Sequence, residues 1–178
     1  MTTIPDEQVD IISVRNIIIG SSAKSLAHRD GLLHRIVIGE IVNSKGEYCF
    51  VKQASDRQDA GQFVSPIGGH VQAGEITDSA LIRECEEECG FTPGDFKLIG
   101  STILDRHVIG RHENHLFLVY IIRPDSPITL NHESVSYKWF SVDEIKQTLK
   151  NNPQTFGEAW HHVFQNIFPD IYNLKPVT

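Results

Sequence analysis

Apolar runs set out the chain before any motif does. The stretch 34-HRIVIGEIVN-43 is close to continuously apolar and β-prone, and 48-YCFVK-52 repeats that character after the turn 43-NSKGE-47. Two such runs around a Gly turn predict a β-hairpin. Residues 9–14 and 17–19 predict two short strands in a lead-in, the second ended by 20-GSSAKS-25. Residues 53–62 are polar and predict a loop. Further strands are predicted near 96–104, 115–122 and 136–140, with a turn at 123-RPDSP-127. The 3.6-residue period takes over at 77–89, where Thr77 or Asp78 is the expected N-cap and Gly90, with Pro93 beyond it, the expected stop. Two later helix starts have capping-box spelling, 141-SVDE-144 and 155-TFGE-158. The last helix gathers Trp160, Val163, Phe164 and Ile167 on one face, a stripe read as core packing, with a homodimer contact as the alternative. Strands, a helix, more strands and then helices predict an α+β fold or a three-layer sandwich.

Composition narrows the function classes. The 178 residues are 40% hydrophobic and 22% charged, an ordinary globular mixture with length for one core. The net charge of −7 argues against binding polymeric nucleic acid. The start MTTIPDEQVD has neither the basic nor the apolar part of a signal peptide. The apolar run 116-LFLVYII-122 is too short to span a bilayer. Three cysteines do not make a disulfide framework, so reduced thiols and a cytoplasmic location are expected.

The acidic run 84-ECEEEC-89 is the first candidate for chemistry. Like charges three and four apart on a helix repel. At about 100° per residue, Glu84, Glu87 and Glu88 share one face. Leu81, Ile82, Cys85 and Cys89 take the neighbouring arc, and Glu86 points elsewhere. A solvated acidic surface would call for basic neighbours, and within the helix Arg83 alone qualifies, i, i+4 to Glu87. Converging carboxylates suit a hard divalent cation, with Mg²⁺ in oxygen ligation. Gly68, Gly69 and Gly74 precede the helix and allow close backbone approach.

The spacing Gly69, Glu75, Arg83-Glu84, Glu87-Glu88, Gly90 resembles the Nudix box, Gly-x5-Glu-x7-Arg-Glu-U-x-Glu-Glu-x-Gly-U, with U apolar; all seven fixed positions match. Cys85 fills the first U position as a small hydrophobe. The stretch 28-HRDGLLHRIVIGEIVNSKGEYCFVKQ-53 is similar to the lead-in of the subgroup that includes isopentenyl diphosphate isomerases. The stretch 138-KWFSVDEI-145 resembles the segment closing many such domains. The resemblance implies one domain over 1–178, with a lead-in at 1–27, a core at 28–149 and a C-terminal helix at 150–178. It implies an α/β/α sandwich with a central mixed sheet. The implied activity is hydrolysis of a diphosphate in a nucleoside diphosphate-X or related metabolite, with Mg²⁺ or Mn²⁺.

Residue by residue, the resemblance assigns Glu84, Glu87 and Glu88 to metal binding, with the Gly68 carbonyl. Arg83 and Glu75 would orient the helix by pairing with each other. Glu133, six residues before Trp139, is the further ligand or base, with Glu113 as the alternative; Glu84 also suits the base. The isomerases place a cysteine where Gly68 stands, and their boxes lose acids kept here at Glu84 and Glu87. They also hold a second metal on histidines and glutamates. His28, His34, His70 and Glu113 correspond roughly, and His115 stands where another glutamate would be. A non-catalytic sensor or binding module is a third reading. Lys52, Arg57, Arg106 and Arg111 are candidate phosphate contacts. His107 and His112 are expected in a loop over 105–115, and Phe63 is expected in the core or stacking a base.

Overall fold

In a computed structural model, residues 6–173 are described. The elements run β1 (Gln8–Ile12), β2 (Ile18–Ala23), α1 (Lys24–Asp30), β3 (His34–Val42), β4 (Tyr48–Gln53), β5 (Phe63–Val64), β6 (Ile67–His70) and α2 (Thr77–Cys89). Then follow β7 (Asp95–Val108), β8 (Arg111–Arg123), β9 (Ser134–Phe140), α3 (Val142–Asn151), a 3-10 turn (Pro153–Thr155), α4 (Glu158–Ile167) and α5 (Pro169–Tyr172). Among the described residues the strands form one nine-stranded mixed sheet. β3 is its centre: it pairs with β8 in parallel from His34↔His115 to Ile41↔Ile122. It pairs antiparallel, in succession, with β1, β6 and β4.

Alternation along these strands builds the layers. Val37 and Ile41 of β3, and Leu116, Leu118, Tyr120 and Ile122 of β8, pack with Leu81, Cys85 and Cys89 of α2. Ile36, Ile38, Phe117 and Val119 face the other way, onto Ile145, Trp160, Val163 and Phe164 of α3 and α4. The result is an α/β/α sandwich with a central mixed sheet. The Trp160 stripe is spent inside the chain, with Trp160 itself 1% exposed.

Several local expectations need correction. α2 has Ile76 at its N-cap with no side-chain cap. Thr77 and Asp78 instead accept the Tyr120 hydroxyl, at 3.2 and 2.7 Å. Gly90 does stop the helix, at φ 71°. Ser141 forms the expected capping box with Glu144, whereas α4 starts at Glu158 behind Gly157, with no side-chain cap from Thr155. The polar stretch after residue 20 hides α1, closed by Gly31 at φ 64°. A Cβ on Gly31 would fall 2.0 Å from His112 Nδ1, so the glycine also makes room for β8. The expected loop over 105–115 is the end of a long β7–β8 hairpin that turns at Ile109 and Gly110. Cross-strand pairs satisfy its polar residues: His112 meets Asp105 at 2.7 Å and Arg106 meets Glu113 at 2.9 Å.

Candidate active site

β6 and α2 are tied together by Arg83, just ahead of the acidic run, and by Glu88 within it. Arg83 makes a two-pronged contact to Glu75, Nε to Oε1 and Nη2 to Oε2, each 3.0 Å. The same guanidinium donates to the His70 carbonyl at 3.0 Å and to Glu84 at 2.5 Å. Glu75 also accepts from the Gln72 amide at 2.9 Å. One arginine thus fixes the loop, the strand and the first helix turns as a unit. Gly69 has its reason in space: a Cβ there would lie 1.8 Å from Glu84 Cδ. Glu88 accepts from the Gly68 amide at 2.8 Å. The far end of α2 is held by the Thr129 amide on the Cys89 carbonyl and the Asn131 amide on that of Glu88, at 2.9 and 3.3 Å. That clamp carries the chain to Glu133, next to β9.

Gly68, Arg83, Glu84, Glu87, Glu88 and Glu133 therefore line one cavity of about 440 Å³. Each glutamate is turned to a separate partner: Glu84 to Arg83, Glu88 to Gly68 and Glu133 to Arg57 at 3.0 Å. Glu87 is the outermost, with its side chain 59% exposed and 3.8 Å from Arg83. Burial pushes the Glu88 carboxyl up to about 8, and the charges of Glu84, Glu133 and Glu87 add to the rise. Burial also raises Glu84, against the pull of Arg83. Crowded carboxylates that oppose each other's ionisation, against a glycine that leaves them space, are a donor set that fits a hard divalent cation. Glu86 lies outside this cavity and accepts from the Thr92 hydroxyl.

Arg57 and Lys24 are the cations of the cavity besides Arg83. Arg57 was expected near phosphate; Lys24, paired with Glu7, was not, because it lies on the helix the sequence reading missed. Arg106 and Arg111 instead hold Glu113 at 2.9 and 3.2 Å, so Glu113 stands outside the glutamate cavity. Phe63 packs edge-on against Phe140, with ring centroids 5.2 Å apart.

Beside the cavity lies a second cluster, and His70 belongs to both. One donor nitrogen from each of His28, His34, His70 and His115 falls within 4.8 Å of the others. They come from α1, β3, β6 and β8. The parallel register places His34 directly beside His115. His28 Nε2 lies 3.2 Å from both His115 Nε2 and His70 Nε2. His34 Nδ1 faces the Leu32 carbonyl at 2.7 Å, so it carries the proton. His34 Nε2 is then a bare lone pair, buried without a partner. Burial and neighbouring positive groups lower all four imidazoles, His28 to about 4. Neutral, converging imidazoles with an orphaned lone pair fit a metal ion.

The three cysteines are free and buried. Burial pushes Cys49 and Cys85 up to about 12, so neither is an activated thiol. No helix among the described residues is long and apolar enough to cross a membrane.

A mixed sheet between helix layers, with a glycine-glutamate-arginine lock beneath an acidic helix, defines the class of domain. The chain belongs to the NUDIX domain family, whose model matches residues 32–159. Among curated proteins it is 29% identical to isopentenyl-diphosphate Delta-isomerase 2 of Photorhabdus laumondii, covering 85% of this chain and 86% of that protein. It is 28% identical to the isopentenyl-diphosphate Delta-isomerase of Serratia proteamaculans, covering 93% and 92%. A crystal structure from Deinococcus radiodurans shares the fold at TM-score 0.71 and 17% identity, covering 91% of this chain and 99% of that one. The MutT protein of Methanosarcina mazei Go1 matches at TM-score 0.60 and 25% identity, over 78% and 92%.

Proposed function

We propose that the chain hydrolyses the diphosphate linkage of a nucleoside diphosphate-X or related small metabolite, with Mg²⁺ and with Mn²⁺ as a substitute. The observation that carries this reading is the single cavity shared by Glu84, Glu87, Glu88 and Glu133. Those carboxylates, with the Gly68 carbonyl, would hold the ion. A divalent ion there supplies neutralisation of phosphate charge and a water of lowered pKa. Arg83 keeps Glu84 in place through its contacts to Glu75 and the His70 carbonyl. Arg57 and Lys24, which line the same cavity, are the cations available to the diphosphate. Glu84 or Glu133 accepts the proton of the attacking water. The test is cleavage of a diphosphate panel with Mg²⁺, with both phosphorylated products identified by mass; activity indifferent to Glu84→Gln would sink the site.

The names of the curated relatives favour a second reading, isomerisation of isopentenyl diphosphate. Gly68 stands against it, since it supplies no thiol where those enzymes would need one, and the buried cysteines do not replace it. Product identity by mass, rearranged diphosphate or free phosphate, separates the two. Binding without turnover would instead favour a sensor.

We further infer that His28, His34, His70 and His115 hold a second metal ion. Four imidazoles select a borderline ion of the zinc class over Mg²⁺. Metal analysis of untagged protein against His70→Ala tests this; equal metal content in both would refute it.

A further inference from the structure

Lys24, Arg57 and Arg83 line the glutamate cavity, and they are committed to different degrees. Arg83 is locked: two prongs go to Glu75 and further bonds to the His70 carbonyl and to Glu84. Lys24, on α1, pairs with Glu7, outside the acidic helix. Arg57 differs from both. Its carboxylate is Glu133, the candidate ligand or base, and it sits on the loop between β4 and β5.

The Arg57–Glu133 contact is a weak one. A single nitrogen, Nη2, lies 3.0 Å from Glu133 Oε1, with the two side chains 33% and 36% exposed. Water screens ion pairs of that exposure, and they hold little. The same Nη2 donates to His132 Nε2 at 3.3 Å. Arg57 Nε is buried without a hydrogen-bond partner, and Asp56 Oδ1 stands off at 3.9 Å. A buried donor left unpaired costs free energy that a new partner would recover. The backbones are tied independently of this pair. The Ala54 amide donates to the Glu133 carbonyl, and the Glu133 amide to Asn131 Oδ1, each at 2.9 Å. The side chains can therefore part while their backbones stay in place. A diphosphate offers a guanidinium two oxygens at once, a fork that the single Glu133 oxygen does not match.

We propose that Arg57 trades Glu133 for the diphosphate. In the free protein it holds the carboxylate; when a substrate phosphate takes the guanidinium, Glu133 is released to the ion and its water. Glu133 thereby joins the donor set only when a substrate is present. The inference rests on the reading above that the cavity takes a divalent ion and a diphosphate. It makes Arg57 a positioning residue for Glu133 as well as a phosphate contact. Two opposite effects follow from one residue. Removing Arg57 frees Glu133, so the ion binds more tightly. The same removal takes a partner from the phosphate, so the diphosphate binds more weakly. A residue with a structural role alone would weaken both.

The experiment titrates Mn²⁺, read by electron paramagnetic resonance, and then methylenediphosphonate, an uncleavable diphosphate, onto the Mn²⁺-loaded protein. It compares wild type, Arg57→Ala, Arg57→Lys, Lys24→Ala, Glu133→Gln and the Arg57→Ala, Glu133→Gln double variant. Folding of each is checked by melting temperature, and Arg57→Gln takes the place of an Arg57→Ala that does not fold. Arg57→Ala is expected to tighten Mn²⁺ about two- to fivefold, the worth of an exposed ion pair. It should weaken the diphosphonate ~10-fold or more, the worth of a charged hydrogen bond. Arg57→Lys, which keeps the charge without the fork, should hold Mn²⁺ as wild type does and still lose diphosphonate affinity. The Mn²⁺ gain should exceed that of Lys24→Ala, which removes one charge from the same cavity, and should shrink to that level when Glu133 is replaced. Equal gains in Arg57→Ala and Lys24→Ala, undiminished by Glu133→Gln, would make Arg57 one more positive charge and overturn the exchange. Weaker Mn²⁺ binding in a folded Arg57→Ala would also overturn it. None of these readouts needs turnover. The full pattern without cleavage of any diphosphate would remove the hydrolase reading and leave the exchange. Cleavage without coupling between Arg57 and Glu133 would remove the exchange alone.

Discussion

The glutamate cavity and the histidine cluster touch at His70, yet they are built on opposite principles. The cavity offers carboxylate oxygens that crowd one another and oppose each other's ionisation, with Glu87 59% exposed at its mouth and Arg57 and Lys24 close by. The cluster offers nitrogen donors that are neutral and enclosed, with His34 0% exposed. An open acidic site that keeps waters suits an ion that exchanges and arrives with a phosphate. A closed imidazole site suits an ion held from folding onward, whose binding free energy is folding free energy. Arg83 couples them mechanically, because it bonds the His70 carbonyl and Glu84 together. Adjacency in the fold thus does not make two donor sets one site.

The largest effect should come from breaking the cavity alone. Glu88→Gln keeps the shape and can still accept from Gly68, but it removes the charge. Hydrolysis with Mg²⁺ should fall about 10²–10⁴-fold. The zinc-class metal content per chain should not change. Initial rates and elemental analysis on one preparation check both halves. Loss of the bound metal along with activity would mean that the two clusters are one centre.

Next comes the cluster. His34→Ala should abolish the tightly held ion and lower stability by about 3–4 kcal/mol, the value of an ion present at 100–1,000 times its Kd. Denaturant melts of wild type with and without a chelator give the same comparison without a mutation. A chelated wild type as stable as the untreated protein would remove the cluster's structural role.

Mg²⁺ should act more weakly and only on the cavity. At ten times its Kd it should stabilise by about 1.4 kcal/mol. The same rise is expected in His34→Ala and none in a Glu87→Gln, Glu88→Gln double variant. A Mg²⁺ response that disappears in His34→Ala would assign both ions to the histidines.

The two regions were unequally legible in the sequence. The cavity's box lies within one strand-loop-helix unit, where spacing translates into geometry at 3.6 residues per turn. Leu81, Cys85 and Cys89 went into the core as the period requires. Glu133 was placed by resemblance and reaches the cavity through the Thr129 and Asn131 clamp, which no local rule announces. The cluster is non-local. His28 sits on α1, which starts from Ala23 with no side-chain cap to signal it. His115 joins through the parallel β3–β8 register, and sequence patterns do not give register between distant strands. Glu113 looked like a member but follows its own pairing, across the hairpin to Arg106.

The smallest predicted effect tests whether the cavity is geometric or merely acidic. Glu86→Gln removes one of the four charges in 84-ECEEEC-89, as Glu87→Gln does, and leaves the helix period intact. If the run acted through total negative charge, the two variants would weaken Mg²⁺-dependent hydrolysis alike. Glu86 instead lies on another face and accepts from the Thr92 hydroxyl, near the C-terminal end of α2. A negative charge there opposes the helix dipole, so its loss should change stability by no more than about 0.5 kcal/mol. Hydrolysis should stay within about twofold of wild type, while Glu87→Gln loses at least about tenfold. Equal losses in the two variants would show that charge, and not the face on which it sits, is what the acidic helix supplies.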